Sequence, residues 1–260
     1  MKLRRKSGAK RGTKRAMKTG LLACAALFLS TYICGCGISS GKPLNSSTPI
    51  NPNDISDFNV LYGENCAGCH GADGRGGAAI PLGDPVYLAI ADDAILRRAA
   101  TDGIHGTSMP AFAQSAGGML TAKQIDLIVT GIRERWAQPN ALSGANPPPY
   151  SSTTPGDSAR GSQAYAKFCS SCHGAGGKGT PKASSIVEGS FLALVTDQQL
   201  RTIVIVGRPD LGAPDWRNNV PGTPMSSQDV SDVVAWLASQ RSQFPGQPYP
   251  STPKSSGEVR

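Results

Sequence analysis

From residue 54 onward, apolar positions recur at helical spacing and not in alternation. Two stretches, about 121–136 and 226–241, carry this period, and each opens on a hydroxyl residue suited to cap a helix. The first reads Leu120-Thr121-Ala122-Lys123-Gln124-Ile125 and the second Met225-Ser226-Ser227-Gln228-Asp229-Val230, with Thr121 and Ser226 as the predicted caps. Shorter helices are predicted over about 92–101 and 196–206. The latter is ambiguous, because Thr202-Ile203-Val204-Ile205-Val206 is β-branched enough to suit a strand. No alternating strand pattern emerges, so the predicted fold class is all-α. Residues 138–157 are rich in Pro, Ser and Asn without a helical period and read as a linker. Residues 37–53 have the same character and read as a flexible tether, spanning on the order of 20–25 Å. The segment 244–260, with four prolines, reads as a disordered tail.

One apolar run stands apart. Residues 21–35 are uninterrupted by charge and follow a strongly basic block, the order of an export signal. They are fewer than the roughly 20 residues that span a bilayer comfortably. The run ends in Ile33-Cys34-Gly35-Cys36, which resembles the lipobox of bacterial lipoproteins and implies Cys36 as the lipid-modified residue, with 1–36 as the signal. An uncleaved anchor and simple cleavage are the alternatives. Each favoured route puts the remaining chain outside the cytoplasmic membrane.

That leader changes the meaning of the charge. The 260-residue chain has a formal net charge of +8, yet nine of its 26 basic residues lie in the first 20 positions, where no acid occurs. The rest holds 17 basic and 18 acidic groups, which excludes a basic nucleic-acid-binding surface. Gly (31) and Pro (20) are abundant and aromatics reach only 6%, so side chains alone make a poor core.

Of seven cysteines, Cys24, Cys34 and Cys36 belong to the leader; the other four form two copies of one pattern, Cys66-Ala67-Gly68-Cys69-His70 and Cys169-Ser170-Ser171-Cys172-His173. The surroundings repeat as well. Tyr62 and Tyr165 stand four residues before each first cysteine, and Gly71 and Gly174 follow each histidine, so the chain is a tandem duplication. Two thiols three positions apart on one helical turn can add to the two vinyl groups of haem, with the adjacent histidine beneath the iron. A zinc site or a thioredoxin-type pair would leave both histidines unexplained. Two covalently attached haems would also supply the apolar bodies that the side chains do not.

Both halves resemble class I cytochrome c, over roughly 54–137 and 158–243. The resemblance implies a small helical domain around each haem, bound through Cys66, Cys69, Cys169 and Cys172, with His70 and His173 as proximal ligands. It also implies a distal methionine followed by proline. Met109-Pro110 in Ile104-His105-Gly106-Thr107-Ser108-Met109-Pro110-Ala111-Phe112 fits that loop, and Met119 reads as packing. In the second half, aligning Gly103 with Gly207 sets Ala213-Pro214 opposite Met109-Pro110, and alanine cannot bind iron. Met225 is the candidate sixth ligand there; a five-coordinate iron, or Met225 as an apolar staple before the Ser226 cap, stands beside it. His105 reads as a surface residue. The family commonly crosses its first and last helices at a glycine–aromatic contact. The corresponding positions are Gly161 and Trp236 in one copy but Phe58 and Gly131 in the other, so each pair is expected to meet with large and small partners exchanged.

The resemblance implies a membrane-tethered dihaem electron carrier. It would pass single electrons between a quinol-oxidising complex or dehydrogenase and a downstream acceptor, with redox proteins and the membrane, through a lipid anchor, as partners. No catalytic residue is assigned. The rival is a haem enzyme acting on peroxide or a nitrogen oxide at an open face of the second haem, with Arg208, Asp210, Asp215 and Arg217 as nearby polar groups. A fixed subunit of a larger oxidoreductase differs from the carrier only in the permanence of its partner.

Overall fold

The computed structural model describes residues 50–242; the export segment with Cys36, the tether up to residue 49 and the tail from 243 lie outside the described residues. Both repeats belong to one compact unit that starts at Asn51. The first contains α1 (Phe58–Asn65), α2 (Ala67–His70), α3 (Pro85–Ile90), α4 (Asp93–Asp102) and α5 (Ala122–Trp136). The second contains α6 (Ser158–Phe168), α7 (Ser170–His173), α8 (Gly189–Ala193), α9 (Asp197–Val206) and α10 (Ser227–Ser239). Among the described residues, β pairing is limited to the isolated bridges Ala113–Leu120 and Arg208–Ala213. Nor is any described helix long and apolar enough to cross a membrane.

The helix starts follow local chemistry. The Thr121 hydroxyl accepts from Gln124 N while the Gln124 side chain accepts from Thr121 N, and Ser226 with Asp229 repeats this reciprocal cap. Asp57, Asp84, Asp92 and Asp157 cap α1, α3, α4 and α6 through their carboxylates. The β-branched segment before Gly207 is helical. A reciprocal cap from Thr196 and Gln199 starts α9, and burial of Leu200, Ile205 and Val206 outweighs the local strand preference.

The expected exchange at the helix crossings is present. A Cβ built on Gly131 would fall 2.0 Å from Phe58 Cδ2, and one on Gly161 would fall 2.0 Å from the Asp232 backbone oxygen and 2.7 Å from Trp236 Cβ. Aromatic rings then lock each crossing: Phe58, Tyr62 and Trp136 pack mutually at 5.1–6.0 Å, and Tyr165 stacks on Trp236 at 4.3 Å.

A second equivalence is carried by side chains that do not align. Arg133 on α5 bonds the Leu88 and Ala91 carbonyls and the Asp93 carboxylate. In the second repeat Arg241, just past the end of α10, bonds the Leu192 and Val195 carbonyls and Asp197. Counted from the helix caps, Arg241 lies three residues beyond the position of Arg133, yet it clamps the equivalent turn.

Residues 51–54, which the sequence reading divides between tether and domain, form a short turn against α5: Gln124 Nε2 donates to the Pro52 and Ile55 carbonyls at 2.8 and 3.1 Å. The stretch 138–157 is bonded along much of its length. Arg217 Nη1 donates to the Ala141 and Leu142 carbonyls, the buried Arg201 Nε donates to those of Pro149 and Tyr150, and Asp157 N donates to Asp232 Oδ1 at 2.7 Å. Asp232 also accepts both Nε and Nη2 of Arg160. This bidentate bond, against the opposing effect of burial, holds the Asp232 carboxyl down to about 2.

Two outcomes follow. Gly161→Ala should destabilise the second domain by about 1–3 kcal/mol, despite the roughly 1 kcal/mol that alanine gains over glycine inside a helix. The obstructing atom is backbone oxygen, so Trp236→Leu should not rescue it, whereas Phe58→Leu should rescue Gly131→Ala; thermal unfolding of the four holoproteins decides. Because Asp232 is depressed in the folded state, its contribution is complete above about pH 4 and disappears as pH falls towards 2. Denaturant unfolding of Asp232→Asn between pH 4 and 2 should therefore show a shallower pH slope than wild type.

Candidate functional site

Each cysteine pair is built on a helix junction. Cys66 ends α1 and its N–H donates to the Tyr62 carbonyl at 2.8 Å; Cys69 follows within α2, and Cys169 and Cys172 occupy the same places on α6 and α7. All four thiols are free, the first of each pair half-buried and the second exposed. Burial, with the neighbouring cysteine adding to it, pushes the Cys66 thiol up to about 11 and the Cys169 thiol up to about 12. Both are therefore protonated at neutral pH.

The histidines are oriented identically. His70 Nδ1 donates to the Ile80 carbonyl at 2.7 Å and His173 Nδ1 to that of Ser184 at 3.1 Å. A carbonyl only accepts, so a proton sits on Nδ1, and in the neutral ring Nε2 is the nitrogen that keeps its lone pair, the tautomer of a metal-ligating imidazole. Burial also shifts the His70 ring downward in pKa, against the effect of the Ile80 carbonyl, and so favours the neutral form.

To deliver those carbonyls, the chain must turn back tightly over the motif. Gly71 and Gly174 take φ of 86° and 75°, and a Cβ at Gly71 would lie 1.7 Å from the Arg75 oxygen. The repeated tyrosines explain themselves here. Tyr62 Oη donates to the Gly71 carbonyl at 2.9 Å and Tyr165 Oη to that of Gly174 at 2.5 Å, latching the entering helix to the turn that leaves the histidine. Their fixed offset was visible in the sequence; the bond was not.

Met109 is half-buried on the loop after Gly103. Ile104 N donates to the Met109 carbonyl at 3.1 Å, and Arg208 N donates to that of Ala213 at 3.0 Å. A Cβ on Gly103 would fall 2.8 Å from Met109 O, and one on Gly207 the same distance from Ala213 O. Ala213 therefore occupies the backbone position of Met109. Met225 corresponds to the buried core residue Leu120: Leu120 N donates to the Phe112 carbonyl at 2.8 Å and Met225 N to that of Trp216 at 2.9 Å. Met225 is 2% exposed and its Sδ accepts from Asn219 Nδ2 at 3.6 Å, a partner the sequence reading missed. Met119 corrects an expectation. It is 79% exposed and packs nothing, because Leu120 takes the inward position beside it. His105 is exposed.

Two thiols on one turn, an imidazole held through Nδ1 by a carbonyl and a glycine cradle fit covalent haem, twice. When bound, haem supplies a one-electron iron couple; the protein supplies the attachment points and the ligand orientation.

Comparison with known proteins agrees. Residues 158–241 match the family described as cytochrome c, and residues 53–130 match the cbb3-type cytochrome c oxidase subunit III family. The chain is 32% identical over 143 residues to the cbb3-type cytochrome c oxidase subunit FixP of Azorhizobium caulinodans, covering 51% of this chain and 43% of that protein. It is also 32% identical over 124 residues to subunit CcoP of Azospirillum sp., covering 44% and 37%. The chain thus spans less than half the length of these curated relatives. A chain of the Kuenenia stuttgartiensis reducing HAO-like protein complex aligns with a TM-score of 0.42 at 17% identity, over 72% of this chain and 99% of that one.

Replacing Cys66 and Cys69 together by alanine should lower the haem retained after denaturation from two equivalents to one, and the same change at Cys169 and Cys172 should do likewise. Pyridine haemochrome quantification per polypeptide checks it; retention of both haems by either variant would remove that pair from the attachment role.

Proposed function

We propose that this chain, a tandem pair of cytochrome c domains with two covalently attached haems, is a membrane-tethered electron carrier of a respiratory-type chain. It accepts single electrons from a quinol-oxidising complex or dehydrogenase and delivers them to a downstream acceptor. The observation that carries this reading is the doubled Cys-x-x-Cys-His site, each histidine oriented through Nδ1 by a backbone carbonyl. His70 and Met109 are the axial ligands of the first haem, and His173 and Met225 those of the second. Such ligation favours ferrous iron and raises the potential, which suits delivery to an oxidising acceptor. The signal at 1–36, with Cys36 lipidated, tethers both domains on the outer side of the cytoplasmic membrane. With 17 basic and 18 acidic groups beyond the leader, docking on partners draws little on long-range attraction.

A second reading has its own observation. Ala213 occupies the backbone position of Met109, so the second haem lacks a ligand from that loop. If Met225 remains the core residue that Leu120 is in the first domain, the iron is five-coordinate and binds peroxide or a nitrogen oxide. Against this, Arg208 and Asp210 are bonded to each other, as are Arg217 and Asp215, which leaves few free groups for proton transfer.

Optical spectra of wild type and Met225→Ala, with and without carbon monoxide, separate the two. The carrier predicts no carbon monoxide binding in wild type, and in the variant loss of one of two methionine–iron charge-transfer contributions together with binding at one haem. Binding to half the haem of the wild-type protein sinks the carrier assignment for the second site.

A further inference from the structure

The loop that presents Ala213 also reaches the other domain. Arg208 closes it through the paired backbone bonds Arg208 N to Ala213 O and Ala213 N to Arg208 O, at 3.0 and 2.9 Å. Its guanidinium grips Asp210 with Nε and Nη2 at 2.9 and 2.8 Å, and both side chains are largely buried. Each partner then makes one bond across the domains. Arg208 Nη2 donates to the Gly77 carbonyl at 2.8 Å, and Asp210 Oδ2 accepts from Gly76 N at 3.0 Å. Pro209 and Asp210 face Arg75, Pro81, Asp84 and Pro85 across a cavity of about 300 Å³.

Gly76 and Gly77 belong to the turn that serves the first haem site. A Cβ on Gly77 would lie 2.1 Å from Cys69 O and 2.7 Å from His70 C, so this peptide rests directly on the attachment motif. Two residues on, Ala79 N donates to Cys69 O, and the next residue supplies the Ile80 carbonyl that orients His70.

The repeats differ at these positions. Ile104 and Gly106 stand in the first domain where Arg208 and Asp210 stand in the second, and neither can form the ion pair. Thr180 stands where Gly77 does, and its hydroxyl donates to Cys172 O at 2.5 Å, closing that turn on itself. Divergence has thus placed a charged grip on one copy and a bare glycine peptide on the other. The linker adds to the constraint: Arg201 and Gln198 of α9 hold the Tyr150 carbonyl, and Ser152 bonds Ser231 of α10.

We propose that Arg208 and Asp210 are positioning residues that dock the distal loop of the second haem domain onto the attachment turn of the first and fix the two centres for electron exchange. The exchange half rests on the electron-transfer reading above; the docking half does not. In that exchange one electron passes from a ferrous to a ferric centre, with no bond or proton moved. The structural requirement is therefore a constant relation between the centres, in place of the relative motion that is usual for linked domains. The Arg208 bond holds Asp210 down to about 2, and the grip stays charged through the neutral range. A buried pair of this kind is strongly weakened by loss of one partner.

Pulsed dipolar EPR between the two ferric haems of the full-length, fully loaded protein tests the docking. Wild type should give one narrow distance distribution. Asp210→Asn and Arg208→Gln should lose it to a broad one while each haem keeps its optical spectrum. The charge-exchanged Arg208→Asp/Asp210→Arg protein should stay broad, because the pair is restored without the bonds to Gly76 and Gly77. Should Arg208→Gln fail to load haem, the near-isosteric Asp210→Asn carries the test. A narrow distribution retained in Asp210→Asn overturns the docking. Flash photoreduction then reads the exchange: slower inter-haem equilibration in the broadened variants supports the proposal, and an unchanged rate overturns its electron-transfer half without touching the docking.

Discussion

Each domain is organised around one hydrogen bond, from a histidine Nδ1 to a backbone carbonyl ten or eleven residues downstream. A metal-ligating imidazole needs its ring held still and, when neutral, its proton on Nδ1, and a carbonyl facing Nδ1 selects that tautomer and orientation. To bring Ile80 or Ser184 there, the chain must reverse over its own cysteine motif, which leaves no room for a Cβ at Gly71 or Gly77 in the first repeat or at Gly174 in the second. The same reversal exposes the Gly71 and Gly174 carbonyls to the tyrosines of the preceding helices. Those helices are in turn set by their crossings with α5 and α10. Motif, turn, latch and crossing are thus one mechanical chain, present twice.

The duplication shows which parts of that chain tolerate change. Volume at the crossing is kept while its owner changes: Phe58 faces Gly131 in one domain and Trp236 faces Gly161 in the other. Trp136 and Trp236 leave their helices at different turns yet approach equivalent glycines, Gly74 and Gly177. Arg133 within α5 and Arg241 just past the end of α10 likewise clamp equivalent turns. Packing selects for an atom in a place, and several positions on a helix can deliver it. The iron side is less forgiving. A thioether has no substitute in Ala213, and Met225 occupies the position of a core leucine.

The parts that read well from sequence were local. The caps at Thr121 and Ser226 fixed the starts of α5 and α10, since a capping box is complete within four residues. The haem sites were legible because their chemistry lies within five consecutive residues. Met119 was misjudged because two adjacent apolar residues compete for one inward position, and only packing chooses between them. The stretch 138–157 looked featureless because its order comes from partners on α9, α10 and the 215–217 turn, 48 to 79 residues away.

By itself, the sequence determined that this protein is all-helical, duplicated, and equipped with two haem attachment sites, each with its histidine. Those features rest on periodicity, repetition and short-range spacing, which a linear string records in full. Tertiary structure alone decided which carbonyl faces Nδ1 of each histidine, which of Met119 and Leu120 turns inward, and how Arg208 and Asp210 join the two halves. Such choices depend on carbonyls and side chains brought together across 10 to 134 residues of chain, and no spacing rule reaches that far.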